Sequence, residues 1–173
     1  MTALTPEEAV LGACLLDQSV IRLAVEHIMP SDFSFWKGEE IFTAIIALHS
    51  TGQPVDVITV GAKLADQGSK IHPAELHRLV ESVPTASNVS FYAAEVRDAA
   101  VRRGLKAVAV QLAQAAANDM QPAGVSLAEA VAGLQAVRDD SPFSSLGGRS
   151  LAEVMAVEDE YDWVISRLFE RGD

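Results

Sequence analysis

The feature that most constrains this chain is an alanine-rich stretch, residues 88–138, in which 15 of 51 positions are alanine. Alanine is the strongest helix former, and its small side chain lets a neighbouring helix approach closely. Asn88 suits an N-cap, and only Gly104 interrupts the run before about Asn118. A helix over that span is roughly 45 Å long at ~1.5 Å per residue. Gln121-Pro122-Ala123-Gly124 then predicts a turn. Ser126 predicts a second cap, with Glu129 at the capping-box position of a helix ending near Asp139. Two helices joined this closely are antiparallel neighbours. A hairpin standing outside a globular head cannot bury both its faces within one chain, so the pattern predicts self-association. The candidate positions are Tyr92, Val96, Ala100, Val108 and Leu112, as exposed or inter-helix apolar sites.

The preceding residues, 1–87, read as a head of short helices. Thr5 caps the first, Pro6 suits its first position, and Glu8 completes a capping box. Val10, Leu11, Cys14 and Leu15 form its apolar stripe. Ser19 is the expected cap of a second helix that buries Val20, Ile21, Leu23, Ala24 and Ile28 and ends at Pro30. Phe33, Phe35 and Trp36 form an aromatic connector, and a third helix buries Ile41, Phe42, Ile45, Ile46 and Leu48 before Gly52. The β-branched run from Val55 to Val60 is compatible with a strand. A helix capped by Asp56 is preferred, because Val57, Val60 and Leu64 then share a face and Gly68 ends it. Pro73 starts a further helix carrying Leu76, Leu79 and Val80.

After the hairpin, residues 140–149 have the composition of a flexible linker. Residues 150–173 begin with a capping box, Ser150 to Glu153, before an apolar stripe of Leu151, Val154 and Met155. Tyr161, Trp163 and Ile165 follow with no compact partner in sequence, so this tail is expected to dock on another chain or domain. The fold class is therefore all-α: a small helical head, a long antiparallel hairpin, then a linker helix.

Charge excludes several functions. With 13 Lys+Arg against 24 Asp+Glu the net charge is −11, which disfavours gripping nucleic acid through phosphate contacts. A hydrophobic fraction of 49% argues for a folded chain. The single cysteine, Cys14, excludes an intramolecular disulfide and a thiolate zinc cage. No run of 18 apolar residues is present, so no spanning helix is expected, and the first residues do not read as a secretory signal. The expectation is a cytoplasmic protein without membrane contact.

No catalytic or cofactor motif is visible: there is no phosphate-binding loop, dinucleotide fingerprint, zinc-protease motif or nucleophile elbow. His72 and His77 are five apart and miss the spacing of a helical metal pair, so no metal site is expected. Cys14 sits on an apolar stripe and reads as core rather than nucleophile. Glu39-Glu40, Asp139-Asp140 and Glu158-Asp159-Glu160 read as solvated faces. Arg102, Arg103 and Lys106 are the one basic cluster, a solvated hairpin face, a contact for an acidic partner or a weak nucleic-acid contact. The aromatic connector lacks the interleaved Lys and Arg of a base-stacking platform and reads as a bridge between the early helices.

The order of short motifs resembles the N-terminal domain of replicative hexameric DNA helicases of the DnaB family, including phage-encoded members. The matching residues are Glu8 to Gly12 with Leu15-Leu16-Asp17, Asp32-Phe33, Ile41-Phe42 with Ala44-Ile45, and Gly52 to Asp56 with Thr59. Val83-Pro84-Thr85 with Asn88, Tyr92-Ala93 and Val96-Arg97 complete the series.

This resemblance implies a collar or scaffold domain in DNA replication. It would mediate homo-oligomerisation through the hairpin and dock primase or a helicase loader. Leu151, Val154 and Met155 would then lie on a linker helix that packs on a neighbouring subunit's ATPase domain. The residues up to Asp173 resemble the lead-in to that domain. ATP and Mg²⁺ would belong to the parent helicase of a bacterial or phage-infected cell, with no catalysis and no cofactor in this chain. Ser166 departs from the pattern, where a proline is common. The alternative is a stand-alone adaptor or inhibitor that binds a host helicase or primase. A helix-turn-helix DNA binder is disfavoured by the acidic charge.

Overall fold

The computed structural model describes residues 4–117 and 122–139. The linker over 140–149 and the tail over 150–173, with Leu151, Val154 and Met155, lie outside the described residues. Among the described residues there are seven α-helices and no strand. They are α1 (Pro6–Leu16), α2 (Ile21–Val25), α3 (Trp36–Ser50), α4 (Val57–Asp66), α5 (Pro73–Ser82), α6 (Val89–Ala116) and α7 (Ala123–Asp139). The expected all-α head followed by a helical hairpin is what the chain forms.

Local chemistry starts most of these helices where the sequence places them. Thr5 Oγ1 accepts the Glu8 N–H at 3.2 Å, and Glu8 accepts the Thr5 N–H at 3.0 Å. At α4, Asp56 Oδ1 accepts from the Ile58 and Thr59 N–H groups at 2.8 and 2.9 Å, while Thr59 Oγ1 accepts the Asp56 N–H at 3.0 Å. These reciprocal bonds satisfy donors that a helix start leaves free, so the segment from Val57 is helix and not strand.

The second helix differs from expectation. Asp17, not Ser19, is the capping residue: its carboxylate accepts the Ser19 N–H at 2.9 Å and starts a 3-10 turn, Gln18–Val20, that leads into α2. Helix α2 is one short stretch ending at Val25, and Pro30 opens a second 3-10 turn, Pro30–Asp32. Leu23 points outward, because five residues give α2 only one inward face, which Ile21 and Ala24 occupy. The aromatic connector is also split. Phe33 packs on Phe35 and Phe42 with ring centroids 6.4 and 5.2 Å apart, whereas Trp36 is exposed, with Lys37 Nζ 5.7 Å from its ring.

Helix α1 is the centre of the head. Every residue from Ala9 to Leu15 is buried, a pattern that fits a helix covered all round by α3, α5 and α6. Gly12 marks the tightest contact: a Cβ there would lie 2.3 Å from the carbonyl oxygen of Leu79 on α5. Val89, Ala93 and Val96 of α6 belong to the same core. The first part of α6 is thus a wall of the head, and only its later turns pair with α7.

Helix α7 begins at Ala123, so Ser126 is not its cap. The Pro122 carbonyl takes the first helical bonds, from Val125 N–H at 2.9 Å and Ser126 N–H at 3.4 Å. Alanine's high propensity carries the helix back to the residue after proline, and Ser126 turns inward toward α6 instead.

Candidate functional site

Two arginines of α6 tie it to the head. Asp32, whose side chain is 3% exposed, takes Arg97 at 2.6 Å and also accepts the Met29 N–H at 2.9 Å. Arg103 donates to the Asp32 carbonyl oxygen and approaches the Glu7 carboxylate at 3.6 Å. Glu7 in turn accepts the Ser34 N–H at 3.0 and 3.1 Å and the Ser34 hydroxyl at 3.0 Å. The network links the start of α1, the 30–34 connector and the middle of α6. A buried carboxylate needs such partners, since desolvation without them is costly. Of the basic cluster, then, Arg103 is inward and structural. Arg102 pairs with Asp98 one turn back at 2.6 Å, and Lys106 forms no ion pair among the described residues.

Beyond Arg103 the hairpin is held by close contact of small residues. A Cβ at Gly104 would lie 2.8 Å from Val137 Cγ2, and one at Gly133 would lie 3.2 Å from Val108 Cγ2. Gly104 therefore does not interrupt α6; it makes room for α7. Along α7, Ser126, Ala130, Gly133 and Val137 recur at helical spacing and are the least exposed positions.

The predicted self-association residues have different fates. Val96 is only 1% exposed in the head core, and Val108 is buried between α6 and α7. Both are used inside the chain, because α6 has one face on the head and then one on α7. Tyr92 and Ala100 are partly covered, and Tyr92 packs against the head core. Leu112 alone of the five is exposed, at 43%.

Sequence reasoning missed Leu105, Leu127, Val131 and Leu134, which join Leu112 among the exposed apolar residues of the hairpin. Leu105 and Leu112 on α6, and Leu127, Val131 and Leu134 on α7, are all exposed. The α7 set recurs at i, i+4 and i+7, a spacing readable in sequence but hidden among alanines. Leu105 follows the contact residue Gly104, while Leu127 and Leu134 follow the inward-facing Ser126 and Gly133. In antiparallel helices the same sense of rotation carries both stripes to the same side. These two stripes thus share one side of the hairpin, while Val110 and Val125 are exposed elsewhere on it.

Cys14 is buried in the core and burial pushes its thiol up to about 12, far from a reactive thiolate. Among the described residues no three His, Cys, Asp or Glu side chains are grouped to hold a metal ion, and no helix is long and apolar enough to cross a membrane. The sequence holds no phosphate-binding loop, so these residues do not fit ATP and Mg²⁺.

The fold is an all-α module, a helical head continued by a helical hairpin, with exposed apolar side chains on both, Trp36 and Ile58 on the head and Leu127 and Leu134 on the hairpin among them. The sequence profile of the DnaB-like helicase N terminal domain matches residues 2–98, and this chain belongs to that family. It is 40% identical over 111 residues to the replicative DNA helicase DnaB of Geobacillus stearothermophilus and 36% identical over 111 residues to the replicative DNA helicase DnaC of Bacillus subtilis. Each match covers 62% of this chain and 24% of the relative, so the matched region spans about a quarter of those proteins' length. The crystal structure of the N-terminal domain of DnaB helicase from Mycobacterium tuberculosis superposes with a TM-score of 0.71 at 29% identity, covering 75% of this chain and 94% of that one. A DnaB-like replicative helicase, described together with its interactions with primase, shares the fold: TM-score 0.60 at 20% identity, over 91% of this chain and 36% of that one.

Proposed function

We propose that this chain is the collar domain of a replicative DNA helicase, acting in the bacterial cytoplasm to assemble subunits and to dock primase or a loader. Family membership supports the domain's place in a helicase, and the exposed apolar side of the hairpin carries the oligomerisation reading. Leu105, Leu112, Leu127, Val131 and Leu134 are the contact residues, and their burial against a second copy supplies the driving force. Val96 and Val108, which serve the chain's own core and hairpin, are not. Leu151, Val154 and Met155 are the proposed contact of the linker helix with a neighbouring ATPase domain. ATP and Mg²⁺ act in that domain and not on these residues.

Sedimentation velocity of the 173-residue chain tests the reading. Oligomers are expected at micromolar concentration, and Leu127→Glu with Leu134→Glu should shift them toward monomer while helix content is kept. An unchanged mass in that double variant excludes this side of the hairpin.

A further inference from the structure

Two hollows flank the first turn of α1, and Glu8 and Phe35 line both, so they form one groove across the head. They enclose about 300 Å³ beside α6 and about 400 Å³ beside α5. Leu4, Pro6, Phe35, Leu79 and Ala99 give the groove an apolar floor that is still open to contact. None of the proposed pairing residues of the hairpin lines it. Around that floor, Glu7, Glu8, Glu75, Glu81 and Glu95 stand against only Lys37 and Arg78. Three of these carboxylates are engaged: Glu7 by Ser34 and Arg103, Glu8 by Thr5, and Glu75 by Lys37, with Arg78 acting on it as well. Glu81 in the α5 hollow and Glu95 in the α6 hollow are exposed and form no hydrogen bond or ion pair among the described residues. Arg102, the cation that feels Glu95, is bonded to Asp98 at 2.6 Å.

The free charges say what covers this floor. Two uncommitted carboxylates, one in each hollow, attract cations and repel acids. Glu7 and Glu8 already offset the positive end of α1 that lies between them. Residues 150–173 carry 7 acidic and 2 basic side chains, and a second copy of the chain brings a net charge of −11. Neither complements the groove. Lysine and arginine do, because their aliphatic stems cover apolar surface while their heads reach a carboxylate. We propose that this groove docks a basic segment of a partner protein, which seats an apolar side chain on Phe35 and a lysine or arginine at each of Glu81 and Glu95. It rests on the docking half of the collar reading, and it gives the partner a place and a charge.

The test titrates the 173-residue chain with the peptide acetyl-Lys-Lys-Leu-Trp-Leu-Lys-Lys-amide and follows backbone amide resonances. Saturable shifts are expected at Phe35, Glu81 and Glu95. The same peptide with glutamate for lysine should give none, and one with glycine for Leu and Trp should bind at least about tenfold more weakly. Glu81→Gln and Glu95→Gln should each weaken the affinity about threefold, and together about tenfold, the upper range for two exposed ion pairs. Both side chains are exposed and unbonded, so these variants should keep the wild-type melting temperature. Glu39→Gln with Asp66→Asn removes as much charge outside the groove and should leave the affinity unchanged. No saturable shift with the basic peptide, equal binding of the acidic or the glycine peptide, or unchanged affinity in the Glu81 and Glu95 double variant would each overturn the proposal. So would an equal loss in the Glu39 and Asp66 variant, since bulk charge would then explain the binding. Sedimentation of the same samples reports hairpin pairing separately. An oligomer that ignores the peptide overturns this docking site alone, and a monomer that binds it overturns only the pairing.

Discussion

Arg97 on α6 donates to Asp32, 65 positions earlier in the chain, across 2.6 Å, and the pair is nearly closed to solvent. Asp32 also caps its own 3-10 turn through the Met29 N–H. One carboxylate therefore holds both the connector's shape and the placement of α6. Arg97→Ala leaves that carboxylate buried with its cationic partner lost, and should cost about 3 kcal/mol. Urea unfolding measures this, and a loss well under ~1 kcal/mol would show that the pair holds nothing together.

Gly12→Ala tests the packing of α1 on α5. The new methyl meets the Leu79 carbonyl oxygen at 2.3 Å, a backbone atom that cannot rotate away. The helices must separate, at a cost of roughly 1–3 kcal/mol, despite the better helix propensity of alanine. A stabilised variant in thermal unfolding would contradict the close approach.

The cap of α4 gives a pH dependence. Hydrogen bonding, first from the Thr59 backbone N–H, holds the Asp56 carboxyl below the usual carboxylate range. The unfolded value is about 3.9. Since the folded value is the lower one, the stabilisation is fully present above the unfolded value and fades as pH falls through the folded one. Asp56 is exposed, so solvent screening keeps the effect to about the 1 kcal/mol of an ordinary cap. Asp56→Ala should therefore lose about that much at pH 7, and the gap from wild type should narrow by pH ~3. Paired urea titrations check it; a gap independent of pH argues against the carboxylate.

Cys14 should be chemically silent. With its thiol pushed up to about 12 and no exposed surface, the native protein should resist alkylation at pH ~8, and denaturant should release one reactive thiol. Rapid labelling of the native chain would place Cys14 outside the core.

What the sequence by itself determined is what depends on neighbours three or four residues apart. The Thr5–Glu8 box, the Asp56 cap, the Pro73 start and the apolar spacing of α3 and α4 are local bonds and local faces, so the all-α class and the head-plus-hairpin order followed from them. The family motifs were legible too: Asp32-Phe33 and Val96-Arg97 stood out as words. Only the tertiary structure joined Asp32 to Arg97, because no local rule selects a partner 65 residues away. It alone turned Val96 into the head, Val108 onto α7, and Ser126 from an expected cap into a buried, unpartnered hydroxyl. The physical reason lies in the alanines: a helix with small apolar residues on every side has no distinct stripe, and packing against α1 and then α7 decides which residues face inward.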